Sequence, residues 1–242
     1  MKSDPLCTHA TRKEGDVVRL MRILGRSHTL GRLVMSSAAW RLSGLSYQTA
    51  VLATTGTLQS KREYMRGMYV RAQKLAPFLP EKARVLDFGT GLGGNILACS
   101  RHIEWGVGID INPFYIRHAK RLAQLNQCNN VTFRVYDGVT LPAIPGLNCT
   151  ICIGVFERLL PAQVKHYLSQ MCRILGSGST LIVYFLTEEA KANGFGARLG
   201  QTNYVFWSEM ALSGLFDDLK LSLLSRVARF PNAGDTFVLR VT

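Results

Sequence analysis

Along this chain of 242 residues, short apolar runs that close on an acid or a glycine alternate with longer stretches in which apolar residues recur every three or four positions. Val85 and Leu86 follow charged Lys82 and Arg84 and predict a short buried strand ending at Asp87. Glycines then take over at 89, 91, 93 and 94, and Asn95 to Cys99 reads as the start of a helix. Val107 to Asp110 predicts a second strand, with a helix behind it that tolerates Pro113 in its first turn. Asn129-Asn130 breaks the chain before a third strand, Val131 to Asp137. Cys149 to Val155 is a continuous apolar run that suits a central parallel strand covered on both faces. Pro161 to Leu175 predicts a helix with Val164, Tyr167, Leu168, Met171 and Leu175 inward, and Ser179 to Leu186 a fifth strand. Ser208 is placed to cap a helix carrying Met210, Ala211, Leu212 and Leu215, and Leu219 to Arg229 and Thr236 to Val241 predict a closing strand pair.

Strands that alternate with helices in this way predict an α/β domain over residues 59–242, with a sheet wound in both directions. Within it, Ser60-Lys-Arg-Glu63 is a capping box before Met65, Met68, Tyr69, Ala72 and Leu75, a stripe that suits either core packing or a wall near a ligand. Residues 1–58 have a different pattern and are expected to form a basic helical cap or lid. Asp16 caps Val17, Leu20, Met21 and Leu24, with Arg19, Arg22 and Arg26 off that stripe. Such a helix either packs on the domain with its arginines solvated or docks on a membrane surface or a carrier protein. Thr187 to Thr202 is polar and too long for a minimal turn, which marks a second lid segment.

Charge sharpens this division. Lys and Arg outnumber Asp and Glu by 29 to 16, a net charge of +13, and residues 1–76 hold thirteen of the basic residues against four acids. The basic excess therefore belongs mainly to the N-terminal segment and favours acidic partners. Aromatic residues are not interleaved with those charges as a base-stacking surface requires, so nucleic acid is not the favoured partner. The six cysteines sit mostly inside apolar runs, as small hydrophobes do, and Cys149-Thr-Ile-Cys152 lacks the second pair of a metal site. No metal is expected. With no apolar run of membrane-spanning length and no secretory leader, the expected location is cytoplasmic.

The first strand, the glycine turn and the helix start together form an element whose backbone N–H groups face a polar ligand. Gly89, Gly91 and Gly94 satisfy G-x-G-x-x-G, by itself a weak sign of dinucleotide binding. Asp87, two residues before the first glycine, argues against a pyrophosphate there, because like charges repel. It suits a ligand that is positively charged there. About 20 residues on, Asp110 ends the second strand where such folds hold ribose hydroxyls, and Asp137 ends the third.

At these residues the chain resembles the class I S-adenosylmethionine-dependent methyltransferases, whose first motif has the pattern of Val85 to Gly93. The resemblance extends over about residues 80 to 242 and implies a seven-stranded, mostly parallel sheet of order 3-2-1-4-5-7-6. It implies S-adenosylmethionine as cofactor, with Asp87, Phe88, Gly89, Thr90 and Gly91 around the methionine moiety, Asp110 and Ile111 at the ribose, and Asp137 and Gly138 at the adenine. Gly154 and Val155, at the end of the fourth strand, complete the set.

Methyl transfer from a sulfonium is an in-line displacement, so alignment in a dry site carries much of the catalysis and a base is optional. The fourth strand lacks the Asn/Asp-Pro-Pro-aromatic motif of amine-gripping enzymes, and no Pro-Cys nucleophile is present. Gly154-Val-Phe-Glu-Arg-Leu resembles instead the segment of methyltransferases that act on small molecules, with Arg158 where a histidine is common. Arginine stays protonated, so Arg158 is a candidate anchor for a substrate carboxylate or phosphate rather than a base; a salt bridge to Glu157 or a surface position is the structural alternative. Glu157 either acts as a base or orienting acid, or simply complements a helix N-terminus. The expected acceptor is an oxygen or nitrogen of a small molecule of the metabolite, lipid or sugar class, anionic if Arg158 holds it and free or carrier-bound; RNA or protein stays open as the alternative.

Overall fold

The computed structural model describes residue 70 and residues 73–192, 204–228 and 234–242. The expected cap over residues 1–58, the capping box at Ser60, the stripe residues Met65 to Ala72 and most of the Thr187 to Thr202 segment lie outside the described residues.

Seven strands form one sheet: β1 (Arg84–Phe88), β2 (Trp105–Asp110), β3 (Val131–Val135), β4 (Cys149–Cys152), β5 (Thr180–Phe185), β6 (Leu221–Ala228) and β7 (Asp235–Val241). Their order is β3-β2-β1-β4-β5-β7-β6, as the resemblance implied. The first five are parallel, and β7 runs antiparallel between β5 and β6.

Alternation along the strands sorts their side chains into two cores. Val85, Cys149, Ile151 and Ile182 face one layer, covered by α1 (Gly94–Cys99) and α2 (Pro113–Leu125) through Ile96, Leu97, Phe114, Ile116, Ala119 and Leu122. Leu86, Phe88, Val107, Ile109, Cys152, Leu181, Val183 and Phe185 face the other. That layer is covered by α3 (Pro161–Leu175) and α5 (Glu209–Asp218) through Val164, Leu168, Met171, Leu212, Leu215 and Phe216. Each such buried aliphatic or aromatic side chain contributes about 1.5–3 kcal/mol. Cys149 and Cys152 fall in opposite layers, as their spacing along a strand requires, and the five described cysteines are free thiols.

Helix boundaries follow local chemistry. Asn112 Oδ1 accepts the Phe114 N–H at 2.9 Å and Pro113 opens α2, while Ser208 Oγ accepts the Ala211 N–H at 3.2 Å to open α5.

β3 and β4 end two or more residues earlier than expected. β3 stops at Val135, so Asp137 stands beyond it in a turn where its Oδ1 accepts the N–H groups of Val139 at 2.8 Å and Thr140 at 3.1 Å. β4 stops at Cys152 rather than Val155, because β1 pairs with it only as far as Asp87 opposite Ile151 and Gly154 then turns the chain with φ +88°.

β1 lies between β2 and β4, so the connections leaving it run in opposite directions. The crevice at the carboxyl ends of β1 and β4 is where open α/β sheets take their ligands. The glycine turn and the segment carrying Glu157 and Arg158 meet there.

Candidate methyltransferase site

Asp87 lies wholly inside the protein, beneath the glycine turn. Its Oδ2 accepts the Thr90 hydroxyl at 2.5 Å, while its Oδ1 is buried without a hydrogen bond. Burial pushes this carboxyl up to about 7, against the lowering influence of Thr90, the Ile96 backbone and Asn95; nearby Asp110 adds to the rise. A buried oxygen without a full hydrogen bond is costly, and the nearby Asn95 side chain and Ile96 N–H offset that cost only in part.

The turn above Asp87 needs its glycines for different reasons. Gly89 has φ +68°, and a Cβ there would stand 2.3 Å from Val155 Cγ2, so the backbone after β1 presses on the residue after β4. Gly91 has φ +55° but a Cβ on it would meet no atom within 4 Å; the turn is open at this point. The third left-handed glycine is Gly93, with φ +83°, and Gly94 is the first residue of α1. The match to G-x-G-x-x-G through Gly94 is therefore a coincidence of spacing. α1 has only six residues, so the loop backbone rather than a long helix dipole faces the crevice.

Asp110, at the end of β2, ties the turn in place. Its Oδ2 accepts the Gly91 N–H at 2.9 Å and its Oδ1 the Asn112 N–H at 2.8 Å. Burial raises this carboxyl to about 6, opposed by those N–H groups and by that of Ile111. The Thr90 N–H donates to the Ile109 carbonyl at 2.9 Å, so Thr90 acts on the site through Asp87 and not through its own amide. Phe88 turns its ring into the opposite core, against Tyr136 and Tyr167, and presents only backbone to the turn. Ile111 is half-buried beside Asp110. Asp137 is exposed, and Gly138 follows it with φ +83°.

Beyond the carboxyl end of β4, Phe156–Arg158 form one 3-10 turn. Gly154 is exposed, Val155 and Glu157 are half-buried, and the Glu157 side chain folds back toward Gly154, its Oε1 3.8 Å from where a Cβ would stand there. The Glu157 carbonyl accepts the Val205 N–H at 2.9 Å. Arg158 is half-buried; its Nη2 donates to the Tyr204 hydroxyl at 3.1 Å and its guanidinium carbon lies 4.8 Å from the Tyr204 ring centre. Residues 204–207 cross the ends of β4 and β5, since the Trp207 N–H donates to Leu186 and the Trp207 carbonyl accepts from Glu188. Next to Tyr204 along this segment, Lys191 lies 6.0 Å from the Phe206 ring centre. The sequence reading missed Tyr204 and Phe206; no local signal ties Tyr204 to an arginine 46 residues away. Among the described residues, no group of three or more His, Cys, Asp or Glu could hold a metal ion.

Residues 85–178 match the family model described as a methyltransferase domain. The whole fold is similar to magnesium protoporphyrin IX methyltransferase of Synechocystis PCC 6803, solved with bound SAH, at 16% identity and a TM-score of 0.61 over 89% of this chain and 100% of that one. It is similar to a Haloferax volcanii chain solved in complex with the Trm112 methyltransferase activator, at 17% identity and TM-score 0.61 over 82% and 98%. A third likeness is to N,N-8-amino-8-demethyl-D-riboflavin dimethyltransferase of Streptomyces davawensis, at 15% identity and TM-score 0.60 over 83% and 61%. Among curated proteins, no sequence matches this chain. Sheet order and domain match together show a Rossmann-like fold with a methyltransferase domain over residues 85–178.

Proposed function

We propose that this protein moves a methyl group from S-adenosylmethionine to an oxygen or nitrogen of a small anionic molecule. The observation that carries the cofactor reading is the buried Asp87 Oδ1, left without a donor under a turn that is open at Gly91. An amino group satisfies that oxygen, whereas a pyrophosphate would be repelled by it. Asp87 and the backbone of Phe88 to Gly91 would hold the methionine moiety, Asp110 and Ile111 the ribose, and Asp137 and Gly138 the adenine, with Gly154 and Val155 closing the site from β4. When bound, the cofactor supplies an electrophilic methyl group.

The chain's own part is then to align and dry the acceptor. Val155, Phe156 and Leu159 supply apolar surface, and Arg158, with its fork held against Tyr204, anchors a carboxylate or phosphate. Glu157 orients the acceptor hydroxyl or amine, or takes its proton. Two relatives in fold are named for small-molecule substrates, a porphyrin and a flavin, which supports this class. Residues 1–58 and the segment after Thr187 are proposed to close over the acceptor. No described helix is long and apolar enough to cross a membrane, and the free cysteines favour a cytoplasmic location.

The experiment is mass spectrometry of the small-molecule, RNA and protein fractions from cells with and without the protein. A species one CH₂ heavier, confined to the small-molecule fraction and dependent on the protein, is the expected result. The same shift in RNA or protein would favour the alternative, which the basic N-terminal segment and the likeness to a chain bound to the Trm112 activator support.

A further inference from the structure

Tyr167 and Gln170 stand one helical turn apart on α3, and both reach the segment that follows Asp137. The Tyr167 hydroxyl donates to the Gly138 carbonyl. Gln170 Nε2 donates to the Val139 carbonyl at 3.0 Å, and Gln170 Oε1 accepts the Leu141 N–H at 2.8 Å. A backbone N–H only donates and a carbonyl only accepts, so these two partners fix which way the Gln170 amide faces. Its second Nε2 hydrogen then goes to His166 Nε2, 2.8 Å away, which must be the unprotonated ring nitrogen.

This attachment is unusual in what it holds. Asp137, Val139 and Thr140 are all exposed, so the turn has little apolar burial of its own to order it; Leu141 is the first core residue after it. Gln170 is only 7% exposed, and a buried amide used to grip two backbone groups of a surface turn does little for the core itself. Asp137 Oδ1 meanwhile accepts from Val139 and Thr140 within the turn. Backbone groups of all four residues from Gly138 to Leu141 are thereby tied, which leaves the Asp137 carboxylate one orientation.

We infer that Tyr167 and Gln170 are positioning residues for base recognition: from α3 they hold the Asp137 turn in the geometry that selects a base with an exocyclic amine over one with a carbonyl at the same position. This rests on the cofactor reading above, which places adenine at Asp137. An acid fixed in place accepts from an amine but meets a carbonyl with two acceptors opposed. An acid free to swing loses that discrimination.

The test is equilibrium binding of adenosine, inosine and S-adenosylhomocysteine to the full chain and to the variants Tyr167→Phe and Gln170→Ala. Wild type is expected to prefer adenosine to inosine. Tyr167→Phe should reduce that ratio by about two- to tenfold, the worth of one hydrogen bond to the turn, and Gln170→Ala, which removes two, by at least as much. A merely structural loss weakens both nucleosides alike and leaves their ratio unchanged. Should Gln170→Ala fail to fold, Tyr167→Phe, which removes a single hydroxyl, decides the matter. Unchanged ratios in the folded variants overturn the inference alone. A wild type that binds S-adenosylhomocysteine without preferring adenosine over inosine overturns it as well, and one that binds none of the three ligands removes the cofactor reading beneath it.

Discussion

Gly89 and Val155 press together across the ligand crevice: a methyl group built on Gly89 would lie 2.3 Å from Val155 Cγ2. Gly89→Ala therefore meets two penalties, the clash and the left-handed backbone at φ +68°. The expected outcome is destabilisation by about 2 kcal/mol or more and loss of measurable cofactor binding. Adding Val155→Ala should recover part of the stability, because it removes the clash but not the backbone strain. Chemical denaturation of the single and double variants measures the coupling; simple additivity of the two changes would show that the contact is not tight.

Asp110 has both oxygens engaged by backbone N–H groups of the site. Asp110→Ala releases Gly91 and removes the proposed ribose acceptor, so cofactor affinity should fall by roughly 1.5–3 kcal/mol. Calorimetry with S-adenosylhomocysteine reads this directly, and an unchanged affinity would take Asp110 out of the ribose role.

Acidity should act on stability and binding in opposite senses. Burial raises Asp87 to about 7 and Asp110 to about 6, from an ordinary value of 3.8. The folded chain thus binds more protons than the unfolded chain across that window. The stability from these two groups is full below about pH 4 and lost as pH rises through 6 and 7. A cofactor bearing an amino group and a sulfonium favours the ionised carboxylates, so its affinity should instead rise with pH up to about 7. At about pH 6, calorimetry in buffers of different ionisation enthalpy should show proton release on binding, and Asp87→Asn should abolish most of it. Heats that do not depend on the buffer would contradict the assignment.

Arg158→Lys keeps the charge but loses the planar fork and its seat against Tyr204. Once the substrate is known, KM for it should rise by about tenfold with cofactor affinity unchanged. Tyr204→Phe keeps the ring and removes the hydroxyl, and its effect should be smaller in the same direction. A lysine variant equal to wild type in both constants would end the anchor role and turn attention to Arg19, Arg22 and Arg26.

Removing residues 1–58 tests the proposed lid. The remaining chain should bind S-adenosylhomocysteine as before and lose methyl transfer to its substrate, which binding and turnover assays on the same sample separate. Full activity without those residues would give the basic segment another task.

The strands, with Asp87 and Asp110 near the ends of β1 and β2, were legible because each rests on a short-range rule. Short apolar runs exposed β1 and β2, Pro113 marked the first turn of α2, and the resemblance at Val85 to Gly93 supplied the sheet order. Strand ends were less legible: β3 and β4 stop where pairing partners run out, which no local pattern records. The sequence also placed Tyr167 inward on α3 without a partner for its hydroxyl, and left Gln170 unnoticed, because their targets lie 29 to 31 residues away. His118 is half-buried with its ring 4.5 Å from that of Phe114, a packing choice between neighbours on one helix face that no sequence pattern records.

The insertion of β7 between β5 and β6 sets an order of assembly. The strand latest in the chain fills an interior place, so during synthesis β5 has an open edge and β6 has no partner until residues 235–241 have left the ribosome. An exposed edge such as that of β5, with its fully apolar Leu181-Ile-Val-Tyr-Phe185 run, invites pairing with another chain. A nascent or clipped chain lacking β7 is thus an aggregation hazard rather than a slightly shortened enzyme, and the cell's quality control has more reason to watch this end of the molecule than the catalytic one.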